Sequence, residues 1–427
     1  MATPGGIEKP LGIAAKELVE LLRNAFNTIV QEAAQKADPL VNIPGLTQAL
    51  KPGKEKDTFV GDSVHQSTFL TVKAGENTNV GRKIITQMDL PLQEDGKFGL
   101  STDDILGAEE DLKAVFNVAY ANDVAHAVSL QNFGINAREL TPTGLAGNKA
   151  LASAQKKLGT WLGEVKGRLF RESMVRRWSS NLTVAPISKS AVIHQNTLVC
   201  GVAAASQPTY HQTGATWELN VYNVLNALST STGSSKVTVP RLLEILPQLE
   251  DKYIQPISVA GAKVWIMYVH PDIFNDLHNP DTAKSFAAYF QSMANLGISD
   301  LYKNAFPYGS FMLSDRLIVV KDPKAPIVGI TANTTHPYYF RQGRVDDRPG
   351  SETKQFYASL IFGLNSTVMH EPEAVTYREQ HDIHGKYSSI ALTGAVGFNN
   401  VSYDDDSAGA TPYNEGSAIM LSEKKLT

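Results

Sequence analysis

Hydrophobic positions in the first stretch recur three to four residues apart. Leu18, Leu21, Leu22, Ala25, Phe26 and Ile29 predict one short amphipathic helix. The pattern then breaks at Asp38-Pro39, Ile43-Pro44-Gly45 and Lys51-Pro52-Gly53, where Lys51, Lys54 and Lys56 alternate with Pro, Gly and Glu. That punctuation predicts an extended arm. From 58 to 130 the pattern becomes strand-like. Phe59, Thr68 to Val72, Lys83 to Thr86 and Ala114 to Tyr120 suit strands, and the Gly- and acid-rich Gln93 to Gly99 supplies a turn. The whole reads as a long β excursion with a polar tip.

The clearest element is a helix from about Thr143 to Trp178. Leu151, Ala154, Leu158, Trp161, Leu162, Val165 and Leu169 form its apolar stripe. Gly159, Gly163 and Gly167 lie four apart along one face. Each helical glycine costs on the order of 1 kcal/mol relative to alanine. The expected compensation is close approach of another backbone. Lys149, Lys156, Lys157, Lys166, Arg168, Arg171, Arg176 and Arg177 make this helix basic.

Strands and helices alternate beyond 190. Short strands are expected at Ala191 to Ile193 and Thr197 to Val199. Helices are expected at Trp217 to Leu228, from Pro240 through Leu249, at Asp272 to Leu277 and at Thr282 to Leu296. Val264 to Val269 and Leu317 to Val320 read as buried strands. Phe356 to His370, Ala374 to Gln380 and Lys386 to Val396 are strand-rich. The tail after Tyr403, with Asp404-Asp405-Asp406, is expected to be solvated. The mixture is α+β, without the regular βαβ rhythm of a doubly wound sheet.

Composition narrows the function. The chain has 427 residues, 42% of them hydrophobic, and a net charge of −4. The basic excess of a protein that grips phosphates is absent, which argues against sequence-specific nucleic-acid binding. The basic helix reads as a solvated face, leaving only weak, non-specific contact with DNA. Cys200 is the one cysteine, so no intrachain disulfide or cysteine zinc site forms. Apolar runs such as Val264 to Val269 are strand length, and Met1 to Gly6 shows no signal-peptide pattern, so no membrane segment is expected.

Catalytic signatures are missing. There is no P-loop, dinucleotide fingerprint, nucleophile elbow or H-E-x-x-H. His381-Asp382-Ile383-His384 has metal-like spacing but no third ligand. His270-Pro271-Asp272 pairs a base with a carboxylate, yet a strand end followed by a helix start explains it. The acidic cluster Asp103, Asp104, Glu109, Glu110 and Asp111 sits among Gly, Ser and Thr, which favours a solvated loop. No catalytic residue, metal or cofactor is expected.

Several local patterns occur in a telling order: Leu92, Gly96 and Gly99 with Leu106 to Leu112; Asp123 to Val128; the long helix with Trp161; Val269-His270-Pro271 with Asp276-Leu277 and then Gly309; and Ile361-Phe362-Gly363-Leu364. That order resembles tailed-phage major capsid proteins of the Hong Kong 97-type fold, in the branch typified by coliphage N-four. Arg82 after Gly81, Ala108, and Ser310 to Arg316 depart from the family pattern. The resemblance implies an N-terminal arm (1–75), an extended β loop (76–130) and a peripheral domain with a spine helix (131–190). An axial domain (191–360), returning strands (361–403) and a C-terminal tail (404–427) follow. It implies a virion protein assembled in the host cytoplasm, its partners being copies of itself in hexamers and pentamers around double-stranded DNA. Portal, scaffold and decoration proteins are further implied partners. The rivals are an encapsulin-like compartment and a soluble α/β hydrolytic enzyme.

Overall fold

The computed structural model describes, with short interruptions, residues 33–38, 70–72, 83–89, 114–129, 145–177, 192–208, 224, 236–277, 290–291, 309–331, 338–346, 352–381, 388–400 and 416–423. The expected helix at Leu18 to Ile29, the stretch from Pro39 to Lys56, the acidic cluster and most of Trp217 to Leu228 lie outside them.

The α-helices with described bounds are α1 (Leu145–Val175), α2 (Val239–Asp251) and α3 (Pro271–Leu277), and a 3-10 turn covers Ala204–Ser206. The strands begin with β1 (Leu70–Val72), β2 (Lys83–Asp89), β3 (Ala114–Tyr120), β4 (Asn122–Ser129), β5 (Arg176–Arg177), β6 (Val192–Ile193) and β7 (Thr197–Val199). Next come β8 (Ile257–Val259), β9 (Ala262–Val269), β10 (Phe290–Gln291), β11 (Ser310–Leu313), β12 (Leu317–Lys321) and β13 (Ile327–Thr331). The series ends with β14 (Tyr338–Gln342), β15 (Val345–Asp346), β16 (Glu352–Phe362), β17 (Thr367–His381), β18 (Ser388–Asn400) and β19 (Ser417–Glu423).

An 11-stranded sheet forms the body. Its hub is β16, which pairs antiparallel with β19 along one edge and with β13 and then β9 along the other. The parallel partner of β9 is β12, in register from Leu317↔Trp265 to Lys321↔Val269. Side chains alternate across the sheet. Trp265, Met267, Val269, Ile361 and Met420 meet Leu242, Leu246 and Leu249 of α2 and Ile273 of α3 in one core. On the opposite face, Tyr268 and Phe362 stand with ring centroids 4.8 Å apart, and Phe362 stacks at 5.5 Å on Phe170 of α1.

The second sheet has the order β1-β17-β18-β4. Phe170 also meets Phe398 of β18 edge-on at 5.9 Å. The helix α1 therefore packs against both sheets. Its 31 residues span about 47 Å at 1.5 Å per residue.

Four expectations change. Arg176 and Arg177 leave the helix and pair with β6. Within the expected helix Thr282 to Leu296, Phe290 and Gln291 are strand, because they pair with Leu313 and Met312 at the sheet edge; tertiary pairing overrides the local periodicity. The run Phe356 to His370 breaks at Gly363. A Cβ there would overlap the Gln255 carbonyl oxygen and lie 3.2 Å from that of Gly416. The strand resumes as the single long β17, whose register shifts fall on either side of Glu373; neighbouring Pro372 has no N–H for the ladder. Finally, the tail is not wholly solvated. Ala418, Ile419, Met420 and Leu421 are fully buried in β19, since their apolar side chains complete both faces of the sheet.

Candidate functional site

The spacing of Gly167 and Arg171 puts them on one face of α1. Asp322 follows β12 directly, and its backbone N–H donates to Val269 O at 2.9 Å, which fixes it at the end of the β9–β12 pair. Asp38 follows helical Ala33 and Ala37. These three parts of the chain converge on one buried charge cluster. Arg171 is 1% exposed, Asp38 2% and Asp322 0%.

The guanidinium is held by both carboxylates. Arg171 Nε and Nη2 donate to Asp322 Oδ2 and Oδ1 at 2.6 and 2.9 Å. Arg171 Nη1 and Nη2 donate to Asp38 Oδ2 and Oδ1 at 2.6 and 3.1 Å. Nη1 also reaches Gly167 O at 3.1 Å. Lys324 stands 3.5 Å from Asp38 and donates to Ala37 O at 2.9 Å. Two cations meet two carboxylates. Burial disfavours the Arg171 charge, but the fields and hydrogen bonds of Asp322 and Asp38 outweigh it and hold the guanidinium above its ordinary pKa. Neighbouring Tyr268 is pushed up by burial, then by Asp322.

Gly159, Gly163 and Gly167 are all buried. At Gly167 a Cβ would overlap Asp38 Oδ2 and lie 2.7 Å from its Cγ. The close approach at this glycine is made by a carboxylate, not by the backbone that glycine spacing suggested. The basic residues of α1 divide likewise. Lys156 and Lys157 are exposed, Lys166 and Arg168 are half-buried, and Arg171 is an interior ion. Trp161 stacks on His126 of β4 with centroids 4.6 Å apart.

The remaining candidates hold structure together. Asp272 N–H donates to His270 Nδ1 at 3.2 Å, and the His270 ring stacks on Tyr357 at 4.2 Å. The Tyr357 hydroxyl donates to Asp272, and burial, followed by that bond, pushes its pKa up. This arrangement fastens the start of α3 to β16. His381 ends β17 opposite Ser388, and His384 lies outside the described residues. Among the described residues no group of three His, Cys, Asp or Glu side chains is arranged to hold a metal. No described helix is long and apolar enough to cross a membrane. Cys200 is buried, with its thiol pushed up to about 11 by burial.

Sequence reasoning missed Asp38, Asp322 and His194. Asp38-Pro39 carried only a turn signal, and Asp322 looked like any strand end. The fully buried His194 accepts from Asn196 N–H through Nδ1 at 2.9 Å and meets Ser417 Oγ through Nε2 at 3.0 Å. It ties the segment after α1 to β19.

No protein-family model matches the chain, and no curated protein matches it. Solved structures do. The capsid of Ralstonia phage GP4 aligns with TM-score 0.55 at 13% identity, covering 90% of this chain and 96% of that one. The acid-stable capsid of Helicobacter pylori bacteriophage KHP30 aligns with TM-score 0.49 at 10% identity, covering 89% and 96%. The first alignment establishes that this α+β chain has the fold of a phage capsid protein.

Proposed function

We propose that the chain is the major capsid protein of a tailed phage, a structural protein whose work is geometric. The observation that carries the reading is the end-to-end likeness of fold to the Ralstonia phage GP4 capsid. An arrangement in which one long helix packs against two sheets, with a glycine face and no assembled catalytic group among the described residues, suits a rigid tile.

In this reading the layout is Hong Kong 97-type, on the coliphage N-four branch: an arm, an extended β loop, a peripheral domain built on α1 and an axial domain. Subunits join as hexamers and pentamers into an icosahedral shell around double-stranded DNA. Stable specific interfaces bury at least about 1,200 Å², and a shell subunit forms several. Arms and β loops that cover neighbours supply that area. The Gly159, Gly163 and Gly167 face lets other parts of the subunit approach α1 closely. Portal, scaffold and decoration proteins complete the particle, which assembles in the host cytoplasm. Exposed Lys156 and Lys157 offer weak, non-specific contact to packaged DNA.

Nuclease treatment of particles purified from producing cells tests the reading. Protected double-stranded DNA of uniform length is expected. Particles that hold a protein cargo and no DNA would point instead to an encapsulin-like compartment.

A further inference from the structure

The charge cluster on α1 is built unequally. Asp322 is fixed by the sheet: its backbone N–H bonds to Val269 O, and its Oδ1 accepts from Lys324 N–H at 2.9 Å. Its two bonds to Arg171 involve Nε and Nη2. Asp38 comes from the segment ahead of the first strand and belongs to neither sheet. If Asp38 leaves, Arg171 keeps its two-point pair with Asp322 and its bond to Gly167 O. The positive charge left over falls on Lys324, which is 30% exposed and within reach of water. The Arg171 charge is thus paired with Asp38 in place and also without it, while Nη1 and Nη2 each give up one bond when Asp38 leaves. Buried ion pairs ordinarily lack such a second state, because removing one partner strands the other charge.

Gly167 completes the socket. Only a residue without a Cβ leaves room for the carboxylate, since any larger side chain would occupy the position of Asp38 Oδ2. A Cβ would also lie 2.8 Å from Arg171 Nη1, so the glycine makes room both for the docked carboxylate and for the guanidinium that holds it. We infer that Gly167, Arg171, Asp322 and Lys324 form a socket for the Asp38 carboxylate, and that this contact is a releasable latch holding the N-terminal segment against the spine helix. The latch is a property of the single chain and holds whether or not the chain assembles into a shell.

Limited trypsin digestion of the full chain tests this, read at the cleavage after Lys36 beside the main urea unfolding transition. Asp38→Ala should speed cleavage after Lys36 about tenfold, as expected for loss of a charge-assisted contact, and leave the main transition in place. Gly167→Ala fills the socket and should give the same release with Asp38 intact. The double variant should release no further than either single one. Unchanged cleavage in both single variants would overturn the latch. So would cleavage that rises only in step with a falling urea midpoint, or a variant that fails to fold, because Asp38 would then belong to the core.

Discussion

Arg171 carries a full charge in the interior, where only its partners make that tolerable. Breaking a buried pair costs about 3–5 kcal/mol because an uncompensated charge remains. Arg171→Met leaves the Asp38 and Asp322 carboxylates to share the half-buried Lys324, which lies 3.5 Å from Asp38, so a loss of that size is expected in urea unfolding. A loss below about 1 kcal/mol would contradict the charge accounting. Cys200 is the second residue-scale case. Burial raises its thiol from 9.0 to about 11. Because the folded pKa lies above the unfolded one, folding favours the neutral thiol. This stabilisation is present below pH 9 and fades as pH rises toward 11. At neutral pH a thiol reagent should label Cys200 only at the rate of unfolding, and rapid labelling of the native chain would contradict its burial. Little of this was legible beforehand. Arg171 looked like one of eight basic residues on a helix. Its partners lie 133 and 151 residues away in the chain, and no local spacing reports such distances.

Among the elements, α1 was readable from its apolar stripe at helical spacing, and the strands β9, β12 and β3 from short apolar runs of ordinary strand length. The failures are equally specific. Phe290 and Gln291 became strand through a partner at the sheet edge. The strand β19 was hidden behind an acidic Gly- and Ser-rich stretch, and its seven residues were too few to outweigh that context. Yet β19 pairs with β16 along all of its own length, from Phe356 to Phe362 of the longer strand. Truncation before Gly416 should therefore yield insoluble chain, and a soluble truncated protein with an unchanged urea midpoint would show β19 to be dispensable. Gly363 joins these elements. Gly363→Ala would press against the Gln255 and Gly416 carbonyls, and overpacking of this kind costs about 1–3 kcal/mol. Thermal unfolding measures it directly. On α1, Gly163→Leu should block folding or assembly, whereas unchanged particles would show that this helix face has room.

For the whole molecule, the sequence predicted an arm, a β excursion, a long helix and a mixed body in that order, and the described residues include the long helix and the mixed α+β body. One helix, α1, packs on both sheets through Phe170, and one strand, β16, pairs with β9, β13 and β19. The cluster at Arg171 brings the N-terminal segment, the helix and the sheet to a single point. The described core is thus joined through α1, β16 and the Arg171 cluster. Sedimentation of the full chain, expressed with and without a scaffold partner and examined alongside by negative-stain microscopy, tests the shell reading most directly. Rings, tubes or closed shells are the expected result, and a stable monomer under every condition would contradict it.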